Sequence, residues 1–372
     1  MASVTISPVH TKADRERFIR FLWRIYDGNP AWVPPLLIDR RKLMDKAKNP
    51  FYQHAEAEFL IAERNGEMVG RIGAIVNHNH NKEHKDKVGF FGFFECIDDQ
   101  SVANALFDQA KAFLKSHGMT SMRGPASPSV NDEYGMLIEG FDKSPTVLMP
   151  YNPPYYPLLL ERYGFSKAKD LYSYLLRQST VYSEKLERVN NYVKERHKLT
   201  FRSLDMKNFD RDVERIKDIY NRAWEKNWGY VPMTDEEIDA LAADLKPIVI
   251  PDLVIFAESY GKTIGFALSL PDINVPLKYN KKGRLLPGLI RFVVHKKKIN
   301  LVRIIVLGVL PEHLNTGAAG VLFYETAVRA KNLGYEYGEA GWVLEDNVRM
   351  VRAAEALRGE IVKKYRIYEI PI

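Results

Sequence analysis

Apolar and polar positions along this chain alternate between two periods, and each change of period marks an element. A strand-like run at residues 4–9 precedes a stretch with helical spacing at 12–26. Asn29-Pro30-Ala31-Trp32-Val33-Pro34-Pro35 follows; proline lacks the amide that a helix interior needs, so this segment is irregular. Residues 57–63 and 68–76 read as strands around Asn65-Gly66, a pair that suits a tight hairpin turn. Residues 89–97 form a third strand, and 102–117 a helix stopped at Gly118.

The second half repeats this order. Residues 199–204 are a strand and 209–226 a helix, and Tyr230-Val231-Pro232 echoes Trp32-Val33-Pro34. Thr234 with Glu237 predicts a capping box opening another helix. Residues 253–258 and 263–270 pair around Tyr260-Gly261-Lys262. A strand at 301–310, a helix at 318–332, a strand at 335–341, a helix at 346–357 and a strand at 361–368 complete the chain. A strand–helix–strand unit after an antiparallel meander gives a mixed α/β sheet. Two domains are expected, at 1–180 and 199–372, joined by a charged helical linker at 181–198.

Composition narrows the class. At 372 residues, 46% apolar and 27% charged, the chain suits about two soluble globular domains rather than a disordered or fibrous one. A single cysteine, Cys96, forms no internal disulfide and no multi-cysteine zinc site. The N-terminus shows no secretory pattern and no run reaches transmembrane length, so the expectation is a cytoplasmic protein with no transmembrane segment. His78, His80 and His84 stand among asparagines on a polar hairpin tip, and no metal site is expected. Asn152-Pro153-Pro154-Tyr155-Tyr156-Pro157 reads as a stiff aromatic packing loop.

The net charge of +7 has one main source: residues 273–311 hold nine Lys/Arg and no carboxylate. Within it, bulky apolar groups from Leu285 to Val294 interleave with cations. Three readings stay open: a solvated basic loop, a surface attracting a polyanion such as a cofactor phosphate, an anionic lipid or tRNA, and a membrane-surface helix. Pro287 and Gly288 interrupt the period of the last.

Residues 309–320, Val-Leu-Pro-Glu-His-Leu-Asn-Thr-Gly-Ala-Ala-Gly, join a strand to a helix. Small residues let backbone amides approach an anion at a helix start, where the dipole also favours negative charge. A tight turn that packs the helix onto the sheet uses the same residues. The element order and this loop together resemble the GNAT acyltransferase superfamily, whose Arg/Gln-x-x-Gly-x-Gly/Ala signature cradles the pyrophosphate of acetyl-CoA or acyl-CoA. Gly317 and Ala319 match the small positions, with Leu314 in the Arg/Gln place. The resemblance implies an α/β fold of two GNAT-like domains, each a mixed, mostly antiparallel sheet flanked by helices. It implies acyl-CoA contacts at Val309, Gly317, Ala318, Ala319 and Gly320, and at Asn347 in the next strand-to-helix turn. The first half resembles a degenerate copy, because Asp98 and Asp99 stand before its helix.

Acyl transfer to an amine needs a base and a polarised carbonyl. By position Glu339 is the candidate base, with Glu345 next; a solvated or capping role is the alternative for both. The family's tyrosine acid falls on Ala354 and Leu160, leaving Tyr368 or Tyr365 as substitutes. Asn227, Trp228 and Tyr230 lie where the resemblance places the acceptor wall, although aromatics are also ordinary core residues. The reading is an acyl-CoA-dependent N-acyltransferase acting on a small-molecule, peptide or lipid-related amine. Its rivals are a non-catalytic ligand-binding or regulatory protein and an aminoacyl-tRNA-dependent transferase of the Fem kind, with the basic segment as its tRNA contact. Oligomeric state leaves no mark in the sequence.

Overall fold

A computed structural model describes residues 3–181 and 184–372. It divides into two compact units. The first runs to Leu171 and also takes in Leu277–Val293 and Lys363–Ile372; the second holds Tyr172–Pro276 and Val294–Val362. Two stretches that follow residue 199 in the chain therefore belong to the first unit.

In the first unit Thr11 and Asp14 cap the helix Lys12–Ile25 reciprocally, each side chain accepting from the other's amide at 3.1 Å. Thr5–Pro8, Ala55–Arg64, Glu67–Asn77 and Val88–Cys96 pair antiparallel in that order. Val88–Cys96 then pairs in parallel with Ser121–Gly124, which lies antiparallel to the last strand through Tyr368 opposite Gly124. The helix Gln100–Ser116 buries Val102, Leu106, Phe107, Ala110 and Leu114 against this sheet. Phe107 stacks on Phe94 with ring centroids 4.8 Å apart.

The second unit repeats the plan with Leu199–Ser203, Val254–Ser259, Lys262–Pro271 and Leu301–Val309 antiparallel. Leu301–Val309 runs parallel to Tyr337–Leu344. Side chains alternate across a strand, and the alternation sorts the two helix layers. Ile255, Ala257 and Ala267 pack under the helix Ala318–Asn332, while Val254, Phe256 and Phe266 pack under Phe209–Trp224. The Trp224 ring lies so close over Gly308 that no larger residue fits there without moving the indole.

Three local expectations are corrected. His78–His84 is a short helix rather than a hairpin tip, capped by Asn77, with His80 fully buried. Burial holds the His80 imidazole down at about 3, hence neutral. Tyr156 opens the helix Tyr156–Tyr163 instead of lying in a loop. Leu285–His295 is a continuous helix despite Pro287. The proline occupies the first turn, where amides have no intrahelical acceptor to lose.

Candidate active site

Both units carry the same defect in the same place. In the second, pairing shifts by one residue between Leu268 and Ser269, so Ile305 bulges from its strand. Parallel pairing with the next strand stops just before it, at Ile304 opposite Ala340. Beyond that point the strands run on to Val309 and Leu344 without pairing to each other, which leaves a wedge between them. A bulge disrupts the ladder and bends its strand, which is how a sheet opens without losing its core.

The chain leaves the wedge through a short 3-10 turn, Pro311–Thr316. Gly317 then adopts φ +81°, a backbone that suits glycine, and the helix Ala318–Asn332 begins. No side chain caps this start; the Ala318 amide reaches the Thr316 hydroxyl at 3.2 Å. The next amides, of Ala319 and Gly320, lie in the first turn and have no acceptor within the helix. Gly320 faces open space, and Leu314 is exposed. Neutral small residues, first-turn amides and the helix dipole make this end receptive to an anion.

Glu339 lies one residue before the strands part, in register with Arg303, and both are buried. The Ser173 hydroxyl donates to its carboxylate at 2.6 Å. Arg303 donates to the Gly341 carbonyl at 3.2 Å and covers the Trp342 ring at 5.4 Å. Ser269 Oγ, opposite Ile304, and Trp342 Nε1, just past the last parallel pair, are buried without a hydrogen-bond partner among the described residues. The sequence reading missed both, since neither has a motif around it.

The other candidates fall variously. Asn347 caps the helix Val348–Ala356 by accepting from the Met350 amide at 3.2 Å, and Glu345 is half-buried nearby in sequence. Arg222 reaches Glu312 at 2.8 Å, which puts the end of the helix Phe209–Trp224 against the 3-10 turn before Gly317. Asn227, Trp228 and Tyr230 follow that helix end; Tyr230 is buried and its hydroxyl donates to Asn221 at 2.6 Å. Tyr368 belongs to the first unit, is buried, and donates to Glu161 at 2.9 Å. Burial is the main cause raising its phenol above the ordinary range. Among the described residues no His/Cys/Asp/Glu group could hold a metal.

In the first unit the corresponding wedge is filled. Its bulge falls at Phe93 and Phe94, opposite Ile72, with Phe93 at φ +51°; parallel pairing ends at Phe90 and Arg123. The Ala126 carbonyl presses on Gly92, and the Phe93 amide donates to Ser127 Oγ at 2.8 Å. The helix Gln100–Ser116 is capped by Asp99, which accepts from the amides of Ser101 and Val102 and pairs with Arg64 at 2.7 Å. Those bonds, that to Arg64 first, hold the Asp99 carboxyl at about 2.

This unit carries a buried proton site instead. Glu95, on the bulged strand, accepts from Tyr156 at 2.7 Å and from Tyr26 at 3.0 Å, with Arg71 3.6 Å away. Burial pushes its carboxyl up to about 7, against the pull of Arg71 and the two hydroxyls. A raised carboxyl holds its proton more tightly folded than unfolded. Its contribution is therefore complete below pH 4.5 and is lost as pH rises through 7, about 3 kcal/mol in all. Glu95→Gln, neutral at every pH, is expected to remove that fall; urea midpoints at pH 5 and pH 8 that shift equally in both proteins would refute it.

No protein-family model matches the chain. It is 34% identical over 377 residues to a protein named bacterial ceramide synthase, from Caulobacter vibrioides, covering 99% of this chain and 97% of that one. Protein YghO of Escherichia coli is 32% identical over 366 residues, covering 96% and 93%. Among solved structures, a tandem GNAT protein from the clavulanic acid biosynthesis pathway superposes with a TM-score of 0.56 at 11% identity, over 99% of this chain and 98% of that one. The GCN5-related glucosamine N-acetyltransferase region of a fungal β-N-acetylglucosaminidase gives a TM-score of 0.58 at 12% identity; this chain spans 38% of that larger one. At such identities the structural likeness is one of fold.

Proposed function

Because the chain belongs to the family of the Caulobacter ceramide synthase and YghO, within the tandem GCN5-related N-acetyltransferases, we propose that it transfers an acyl group from acyl-CoA to the amine of a lipid-related acceptor. The observation that carries the reading is the difference between the two wedges. One is filled by its own chain and has a carboxylate at its helix start; the other is unpaired beyond Ile304 and begins its helix with Gly317-Ala318-Ala319-Gly320. The acyl-CoA belongs to the second. Its pyrophosphate meets the amides after Gly317, and its pantetheine lies along the strand ending at Val309.

Glu339, at the point where the strands part, takes the proton of the attacking ammonium. A thioester carbonyl developing negative charge finds a donor in the Trp342 indole. The missing tyrosine acid is a modest loss. A thiol is far more acidic than an alcohol (the cysteine side chain has a reference pKa of about 8.5), so a thiolate leaves with little help near neutral pH. The acceptor class comes from the relative's name, since a ceramide is an N-acylated long-chain amino alcohol.

The test uses the full chain with palmitoyl-CoA and a long-chain amino alcohol. Thiol release should require the amine, and mass spectrometry should find the amide. Saturable acyl-CoA binding without amine-dependent release would replace this reading with that of a non-catalytic binding protein.

A further inference from the structure

We propose that the helix Leu285–His295 docks the protein onto anionic bilayer surfaces. Six of its side chains are exposed and apolar: Leu285, Leu286, Leu289, Ile290, Val293 and Val294, at 42–72%. At 3.6 residues per turn they fill about half the circumference without an intervening charge. The opposite stripe holds the helix to the protein. Gly288 is buried there, and a Cβ at that position would come within 2.8 Å of Asn280 and 3.1 Å of Leu36. The Asn280 amide donates to the Arg284 carbonyl at 2.9 Å, which fixes the first turn. A rigid mount thus presents an apolar face to solvent, well beyond the scattered single residues of an ordinary surface.

Charge selects the occupant. Lys281, Lys282 and Arg284 precede the helix, Arg291 lies within it, and the turn Lys296–Lys298 follows; all are exposed, and no carboxylate occurs from 273 to 311. An apolar face bordered by cations matches the boundary between lipid headgroups and acyl chains. A second copy of this chain would bring the same cations against each other. A lid over an acyl chain would turn these side chains inward, whereas all six face solvent. No helix among the described residues is long and apolar enough to cross a membrane, so the helix lies on the surface. Nothing in this inference depends on acyl transfer.

Cosedimentation of the full chain with lipid vesicles tests it. Binding is expected to vesicles of mixed phosphatidylcholine and phosphatidylglycerol, and to be weak with phosphatidylcholine alone. Leu286→Glu with Ile290→Glu, both at exposed positions, should abolish pelleting without moving the melting temperature. Lys296→Ser, Lys297→Ser and Lys298→Ser together should weaken it roughly 100-fold, at about fivefold per cation, and this variant answers the question even if the first one misfolds. Three results would overturn the proposal: no binding by the wild-type chain to anionic vesicles, a wild-type dimer that the double glutamate variant dissociates, or steeply salt-dependent binding of bulk tRNA in place of vesicles.

Discussion

Gly317→Asp is expected to abolish the stabilisation that acyl-CoA gives the protein. At a hundredfold excess over its dissociation constant, a ligand that binds only the folded state adds about 2.7 kcal/mol. The glycine stands at φ +81° immediately before the helix, and a side chain there would meet only Val193, at 3.4 Å. An aspartate would place a negative charge where the pyrophosphate is proposed to lie. The first unit already has this arrangement at Asp99. Strain is separated from charge by Gly317→Asn, which has the same shape, tolerates left-handed backbone and carries no charge. Thermal shift with palmitoyl-CoA should be lost in the aspartate variant and kept in the asparagine one. Equal shifts in both would mean that the anion binds elsewhere.

Glu339→Gln is expected to lower kcat by roughly 100- to 10,000-fold, the range that a positioned general base supplies. Glutamine keeps an acceptor for the Ser173 hydroxyl but cannot take a proton. Its risk is Arg303, buried beside it in register. Taking a negative charge from beside a buried cation is destabilising, so the urea midpoint must be followed together with the rate. A falling midpoint with an intact kcat below the transition would make Glu339 a structural residue rather than the base.

Much of this fold is written in local signals. Thr234 and Glu237 form the expected capping box, Asn65-Gly66 makes the expected turn, and the helix at 318–332 has the bounds that its apolar spacing predicts. What the sequence hides is made by long-range pairing. Neither bulge has a composition of its own: Phe93 takes a left-handed backbone without glycine, and Ile305 is one more apolar residue in an apolar strand. The Glu95 site draws on residues 26, 71, 95 and 156, and Tyr156 read as loop because proline surrounds it. Pro287 misled for a related reason. A proline breaks a helix interior but suits a first turn, and position within the turn is not visible in spacing alone.

The filled wedge of the first unit has a consequence for its history. Under the proposed assignment, restoring a ligand site there would need the Asp99 cap removed, Ser127 withdrawn from the Phe93 amide, and the Ala126 carbonyl moved off Gly92. Each step taken alone destabilises. Losing the cap costs about 1 kcal/mol and removes the ion-pair partner of Arg64, while losing Ser127 leaves a buried amide without its acceptor. None brings any binding until the others are complete. Under that assignment a domain in this state does not regain a ligand site by single substitutions.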